Sequence, residues 1–148
     1  MKFVRWTLVV VAVVGLGIDA WTHFDLAALY SHNTTGTVNE GVLFQIEAVL
    51  AILAGLLLVW RQNILTSSFA VLVTGGGAFA LLLYRYVDVG KIGPIPSMYD
   101  PEWFTEKQVS LAGEFIALGA ALLLLGLAVH SRLAGVPVGK RSAHPVAA

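Results

Sequence analysis

The sequence predicts an all-α membrane protein, an antiparallel bundle of four transmembrane helices with both termini cytoplasmic. Three observations carry that expectation. Of its 148 residues, 57% are hydrophobic and only 12% charged, with a mean hydropathy of +0.80; a soluble domain carries about 25% charged residues. Four apolar runs each come close to the roughly 20 residues that span a bilayer's hydrocarbon core. Tryptophan, whose ring is apolar and whose indole N–H seeks water, marks both boundaries: Trp6 and Trp60 at one, Trp21 and Trp103 at the other.

The first helix is expected over residues 4–23. Lys2 and Arg5 before an apolar run also suit a signal peptide, but Ile18 is bulky where a small residue should precede cleavage after Ala20, so the run is read as a retained span. Phe24 to Tyr30 is apolar enough to prolong this helix or to lie along the interface. Helix two is expected over 41–60 and helix three over 64–86. Only Arg61-Gln62-Asn63 lies between them, which makes them antiparallel neighbours. Helix four is expected over 107–129, with Asp100-Pro101-Glu102 supplying an N-cap, a proline and an acid at its start. These helices form one domain over 1–130, followed by a flexible cytoplasmic tail over 131–148.

Lys2, Arg5, Arg61, Arg132, Lys140 and Arg141 lie at one end of the spans, against Arg85, Lys91 and Lys107 at the other. The positive-inside rule therefore puts both termini in the cytoplasm, and a bacterial plasma membrane is the expected location. The outer loop 31–40 is polar and includes the sequon Asn33-Thr34-Thr35, a triplet common by chance. The outer loop 89–106 is of another kind. Pro94, Pro96 and Pro101 stiffen it, while Ile92, Ile95, Met98, Tyr99, Trp103 and Phe104 need burial, so it reads as an ordered lid.

Composition also excludes chemistry. There is no cysteine, hence no disulfide, thiolate metal site or thiol redox step. Zero formal net charge gives no case for nucleic-acid binding. No residue is singled out as catalytic, one compact helical unit without a soluble catalytic domain is expected, and a non-enzyme is the favoured expectation.

What remains is a set of charges at one depth in the lid half. Asp19, Glu47, Arg85 and Glu114 each lie in an apolar segment, where an unpaired charge costs several kcal/mol. Gly15, Asp19 and His23 recur every four residues and share a face. Glu47 shares a stripe with Ala51, Ala54 and Gly55, and Glu114 with Ser110, Gly113, Ala117 and Ala121. Small residues allow backbones to approach, so these stripes should face the bundle interior. Thr74, Ala78, Leu81, Arg85 and Asp88 share a face of helix three, with Tyr84 beside it; Gly75-Gly76-Gly77 permits tight packing or a kink. Glu47 and Glu114 also occupy equivalent places in the two halves of the chain, a weak sign of internal duplication.

Asp19, His23, Glu47 and Glu114 are accordingly the candidate metal ligands, with Arg85, Tyr84 and Asp88 as ligand contacts or counter-ions. Three carboxylates against one arginine leave an excess of negative charge, so either a carboxyl keeps its proton or a bound cation completes the site. A carboxylate-rich set with one imidazole fits Zn, Mn or Fe better than copper(I). No haem is expected, since only His23 approaches the core; His32, His130 and His144 read as solvated. The favoured reading is a small binding or accessory protein with a pocket for a cation, proton or small polar ligand. The alternative is a structural subunit of a larger complex, in which Arg85 pairs with Glu47 or Glu114 to fix helix register. A dimeric proton-coupled transporter fits less well. Besides the lipid bilayer, the expected partners are a membrane protein or a second copy of the chain.

In size and hairpin order, residues 1–130 resemble small bacterial four-helix membrane proteins, broadly DoxX-like. The residues that carry the likeness are Asp19, His23, Glu47 and Glu114 with the loop Gly93-Pro94-Ile95-Pro96-Ser97-Met98-Tyr99. The resemblance implies the architecture and no catalytic role.

Overall fold

In a computed structural model of the chain, which describes residues 2–135, four helices account for nearly all regular structure: α1 (Lys2–Tyr30), α2 (Glu40–Trp60), α3 (Ile64–Tyr86) and α4 (Thr105–Ala134). Each is long and apolar enough to cross a membrane. Among the described residues there is no strand, only one isolated bridge between Ile92 and Ile95 in the lid.

Helices two and three begin and end within a residue of their expected limits. The other two are longer. Phe24–Tyr30 continues α1, so this helix reaches well past Trp21 toward the lid. Helix α4 continues through Ala134, where the Gly135 N–H bonds the Ser131 carbonyl at 3.0 Å. Residues 131–134 therefore belong to α4, Gly135 caps it, and residues 136–148 of the expected tail, with His144, lie outside the described residues. The start of α4 also needs correction. Its N-cap is Phe104, which makes no side-chain cap bond; Asp100 instead closes a local turn by accepting the Glu102 N–H at 3.2 Å. The α2–α3 turn is tight because Asn63 and Thr66 form a reciprocal capping box, satisfying two helix-end donors.

The helices alternate in direction and pack in a ring, each against its chain neighbours and α1 against α4. Two ends result, one closed by the 61–63 turn and the other covered by the lid. The packing is inverted relative to a soluble bundle. The interior is built from small residues, with Ala12, Ala48, Ala51, Ala54, Ala70, Ala117 and Ala121 fully buried, whereas Val10, Leu56, Leu72 and Leu123 point outward. Water would penalise that surface, but lipid does not. With no hydrophobic force between helices in lipid, close backbone approach and dispersion hold them together.

The closest approach is between α1 and α4. A Cβ on Gly15 would lie 2.5 Å from the Gly113 carbonyl oxygen, and one on Gly113 would lie 2.8 Å from the Gly15 oxygen. Both obstacles are backbone, which cannot rotate away. Gly15→Ala should therefore destabilise the protein by about 1–3 kcal/mol despite alanine's better helix propensity, as overpacked sites do. Thermal unfolding in detergent measures this, with Gly17→Ala as the control, because a Cβ at Gly17 meets nothing within 4 Å.

Candidate functional site

The Gly15–Gly113 contact fixes what happens one turn away. Asp19 follows Gly15 by four residues, while Ser110 and Glu114 flank Gly113 on the antiparallel helix. Asp19 and Glu114 are completely buried. Ser110 Oγ donates to Asp19 Oδ1 at 3.0 Å, a bond across the α1–α4 seam. His23, one turn along α1, places Nδ1 2.9 Å from Asp19 Oδ1 and 3.0 Å from the Asp19 carbonyl oxygen. His23 turns Nδ1 to Asp19 and donates there when Nδ1 carries the proton; with the proton on Nε2 instead, the Nδ1 lone pair points to the same side as the Asp19 carboxylate, where both could meet one ion. Its ring meets Phe44 of α2 edge-on, with centroids 5.3 Å apart.

Asp19, His23 and Glu114 each offer one ligand atom, and these atoms lie within 4.8 Å of one another. Ligand atoms on one tetrahedral zinc-sized ion stand about 3.4 Å apart, from metal–ligand lengths of about 2.1 Å. Side-chain rotation that closes the trio by about 1 Å would bring the three into range.

Glu47 belongs to a second layer, outside that trio. Its Oε1 and that of Glu114 both abut Gly77 of α3. A Cβ there would lie 3.1 Å from the Glu47 oxygen and would collide with that of Glu114. The last of the three glycines thus makes the space that two carboxylates occupy. Asp19 Oδ2, Glu47 Oε1 and both Glu114 oxygens are buried without a hydrogen-bond partner among the described residues.

Arg85 pairs with none of these acids. Its guanidinium carbon lies 5.1 Å from the ring centres of both Tyr86 and Trp103, and its Nε is buried without a partner among the described residues. The expected Arg85–Glu47 or Arg85–Glu114 register pair is therefore absent among the described residues. Arg85 is about 12 Å along the helix from Gly77, eight residues at 1.5 Å each, and aromatic faces at the lid hold it there. Asp88 is also removed from the site: it is exposed, and its Oδ1 accepts the Gly90 N–H at 3.0 Å in a turn that needs glycine's positive φ of 62°. His32 and His130 are exposed, as expected.

A cavity of about 380 Å³ lies between the lid halves of α2 and α3, with residues of α1 and α4 completing its walls; His23, Glu47 and Ser110 line one end and Tyr84, Arg85 and Lys107 the other. Its remaining walls are mostly apolar, including Leu43, Phe44 and Leu81, with Met98 of the lid above.

The lid is anchored by contacts that only the fold discloses. Asp100 Oδ2 accepts the Tyr30 hydroxyl at 2.9 Å and meets Lys107 Nζ at 2.9 Å. Asn33 donates to Glu40 and to the Ser97 carbonyl, and the Thr35 hydroxyl accepts the Ser97 N–H. The sequon asparagine is thus a structural strut between the two lid-end loops. Gly36 abuts the Pro94 carbonyl where a side chain would not fit.

Partial burial works against ionising Asp100, but hydrogen bonds from Lys107 and Tyr30 outweigh it and hold the carboxyl below its usual value of 3.8. A depressed folded-state value means that the ionised anchor stabilises the lid fully above about pH 4. That contribution is lost as pH falls through the folded value. Trp103 fluorescence should therefore stay constant from pH 7 to about pH 4 and change only below it. Asp100→Asn should remove the acid transition.

No protein family, curated protein or solved structure matches the chain. Its chemistry is read from the site itself.

Proposed function

We propose that this chain is a small membrane-embedded binding protein whose Asp19–His23–Glu114 centre, backed by Glu47, takes one divalent transition-metal ion of the zinc, manganese or iron(II) class. The lid end faces outward across a bacterial plasma membrane and both termini face the cytoplasm. The Lys and Arg excess at the other end supports that orientation.

One observation carries the metal reading: four buried carboxylate oxygens converge without partners, and the nearby arginine is turned to aromatic rings. A buried carboxyl either keeps its proton or must be paired or bound to metal. A purely structural network would instead satisfy its acids with Arg85. The donor set of carboxylates and one imidazole suits Zn, Mn and Fe(II) and lacks the soft ligands that copper(I) prefers.

Titrating purified protein with Zn²⁺ or Mn²⁺ alone should give one bound ion per chain by calorimetry, with metal content of the isolated complex as a second measure. Asp19→Asn should weaken binding by at least about tenfold, because it replaces a charged ligand by a neutral amide, a larger change than the loss of an outer-shell partner. Absence of stoichiometric binding to either ion would overturn the proposal.

A further inference from the structure

We propose that the α2–α3 cavity is a second binding site, for a single-chain monoanionic amphiphile whose carboxylate sits at Arg85 and whose alkyl chain lies along the cavity toward the bilayer. The charges at the cavity's lid end are spent with one exception. Asp100 holds Tyr30 and Lys107, and Glu40 accepts from Asn33. Arg85 lines the same cavity yet makes no hydrogen bond or ion pair among the described residues. A guanidinium donates two parallel bonds to a carboxylate, and cation–π contacts with Tyr86 and Trp103 hold this one at the lid end. One unspent positive charge matches one negative charge. Asp100 and Glu40, both acidic, disfavour a group with more.

The body of the cavity is apolar, as an alkyl chain requires, and its size sets the occupant. A cavity of about 150 Å³ accepts benzene, so about 380 Å³ has room for roughly fifteen heavy atoms. That is a carboxylate with about a dozen carbons and too little for two chains. The route in is lateral. Ile46 and Gly76, both in the cavity lining, are exposed on the flank of the bundle at the depth of the spans, so a chain can slide between α2 and α3 from the surrounding lipid. The cavity adjoins the metal centre and shares His23 and Glu47 with it, but the carboxylate seat at Arg85 is at the opposite, lid end.

The test uses full-length protein in nanodiscs of zwitterionic lipid and dodecanoate carrying a photoactivatable diazirine. Labelling should saturate and map to α2 and α3 peptides that line the cavity. Unlabelled dodecanoate should displace it at a concentration at least tenfold lower than dodecanol or dodecyltrimethylammonium. Arg85→Gln should erase that preference, and Ala80→Phe, which fills the cavity, should abolish saturable labelling; thermal unfolding establishes that both variants are folded. Three results would overturn the proposal: labelling that does not saturate, equal competition by the uncharged or cationic chain in the parent protein, and stronger competition by short-chain phosphatidylglycerol, which would assign the site to a two-chain phospholipid. The parent competition needs no variant, so a misfolded substitution leaves the test intact.

Discussion

Glu114→Gln is expected to unfold at a higher temperature than the parent protein when both are metal-free, and to lose the stabilisation that Zn²⁺ or Mn²⁺ confers on the parent. Glu114 is fully buried, and neither of its oxygens has a partner among the described residues. Leaving such a group unsatisfied costs about 1–3 kcal/mol, and more when it is charged. An amide of the same shape removes the charge and can donate to Glu47, whose Oε1 faces the same Gly77. In the parent protein, metal at about 100 times its dissociation constant should add about 2.7 kcal/mol by mass action. The variant should gain almost nothing, its affinity falling more than about 100-fold, beyond the 10–100-fold typical of losing a group outside the ligand shell. Asp19→Asn provides the contrast. Its Oδ1 already serves Ser110 and His23, so this variant should be destabilised without metal. Differential scanning fluorimetry with and without metal separates these outcomes, and a metal-free Glu114→Gln protein less stable than the parent would refute the unpaired-carboxylate reading.

Gly77→Ala should reduce metal affinity at least about tenfold while replacing no ligand. Its methyl group would collide with Glu114 Oε1 and press on Glu47 Oε1 at 3.1 Å. Alanine favours a helix over glycine by about 1 kcal/mol, so the loss would come from displaced carboxylates and not from a weakened α3. Gly76→Ala is the matched control. A Cβ there meets nothing within 4 Å, so that variant should bind metal normally and be up to about 1 kcal/mol more stable. Isothermal titration on the two proteins reads the difference between adjacent glycines. Equal affinities would show that the carboxylates do not need the notch.

Periodicity and spacing carried much of this site. The four-residue recurrence of Gly15, Asp19 and His23, and the small-residue stripes beside Glu47 and Glu114, follow from helical geometry alone, and the structure turns those faces inward. A resident ion-pair partner for the acids was not legible in the same way. Arg85 lies on the face that should meet the carboxylates, but one helix face extends over many ångströms of depth. Its side chain found Tyr86 and Trp103 at the lid end instead. Trp103 was read only as an interface marker, because stacking across a loop leaves no periodic trace. The Tyr30–Asp100–Lys107 anchor and the Asn33 strut were hidden for the same reason: each joins residues far apart in sequence, and local patterns encode no such pairing.

The sequence by itself determined four apolar helices, the tight 61–63 turn, an ordered lid and the depth at which charge is buried. These are properties of composition and of the helical repeat, and each is set within one segment. Only the tertiary structure decided which charges meet. The Gly15–Gly113 backbone contact sets the register of α1 against α4 and so brings Asp19, His23 and Glu114 within 4.8 Å, while Gly77 makes space for Glu47 and Glu114 from the opposite side. Register between helices depends on how closely two backbones approach, a quantity that exists only once both surfaces are in contact.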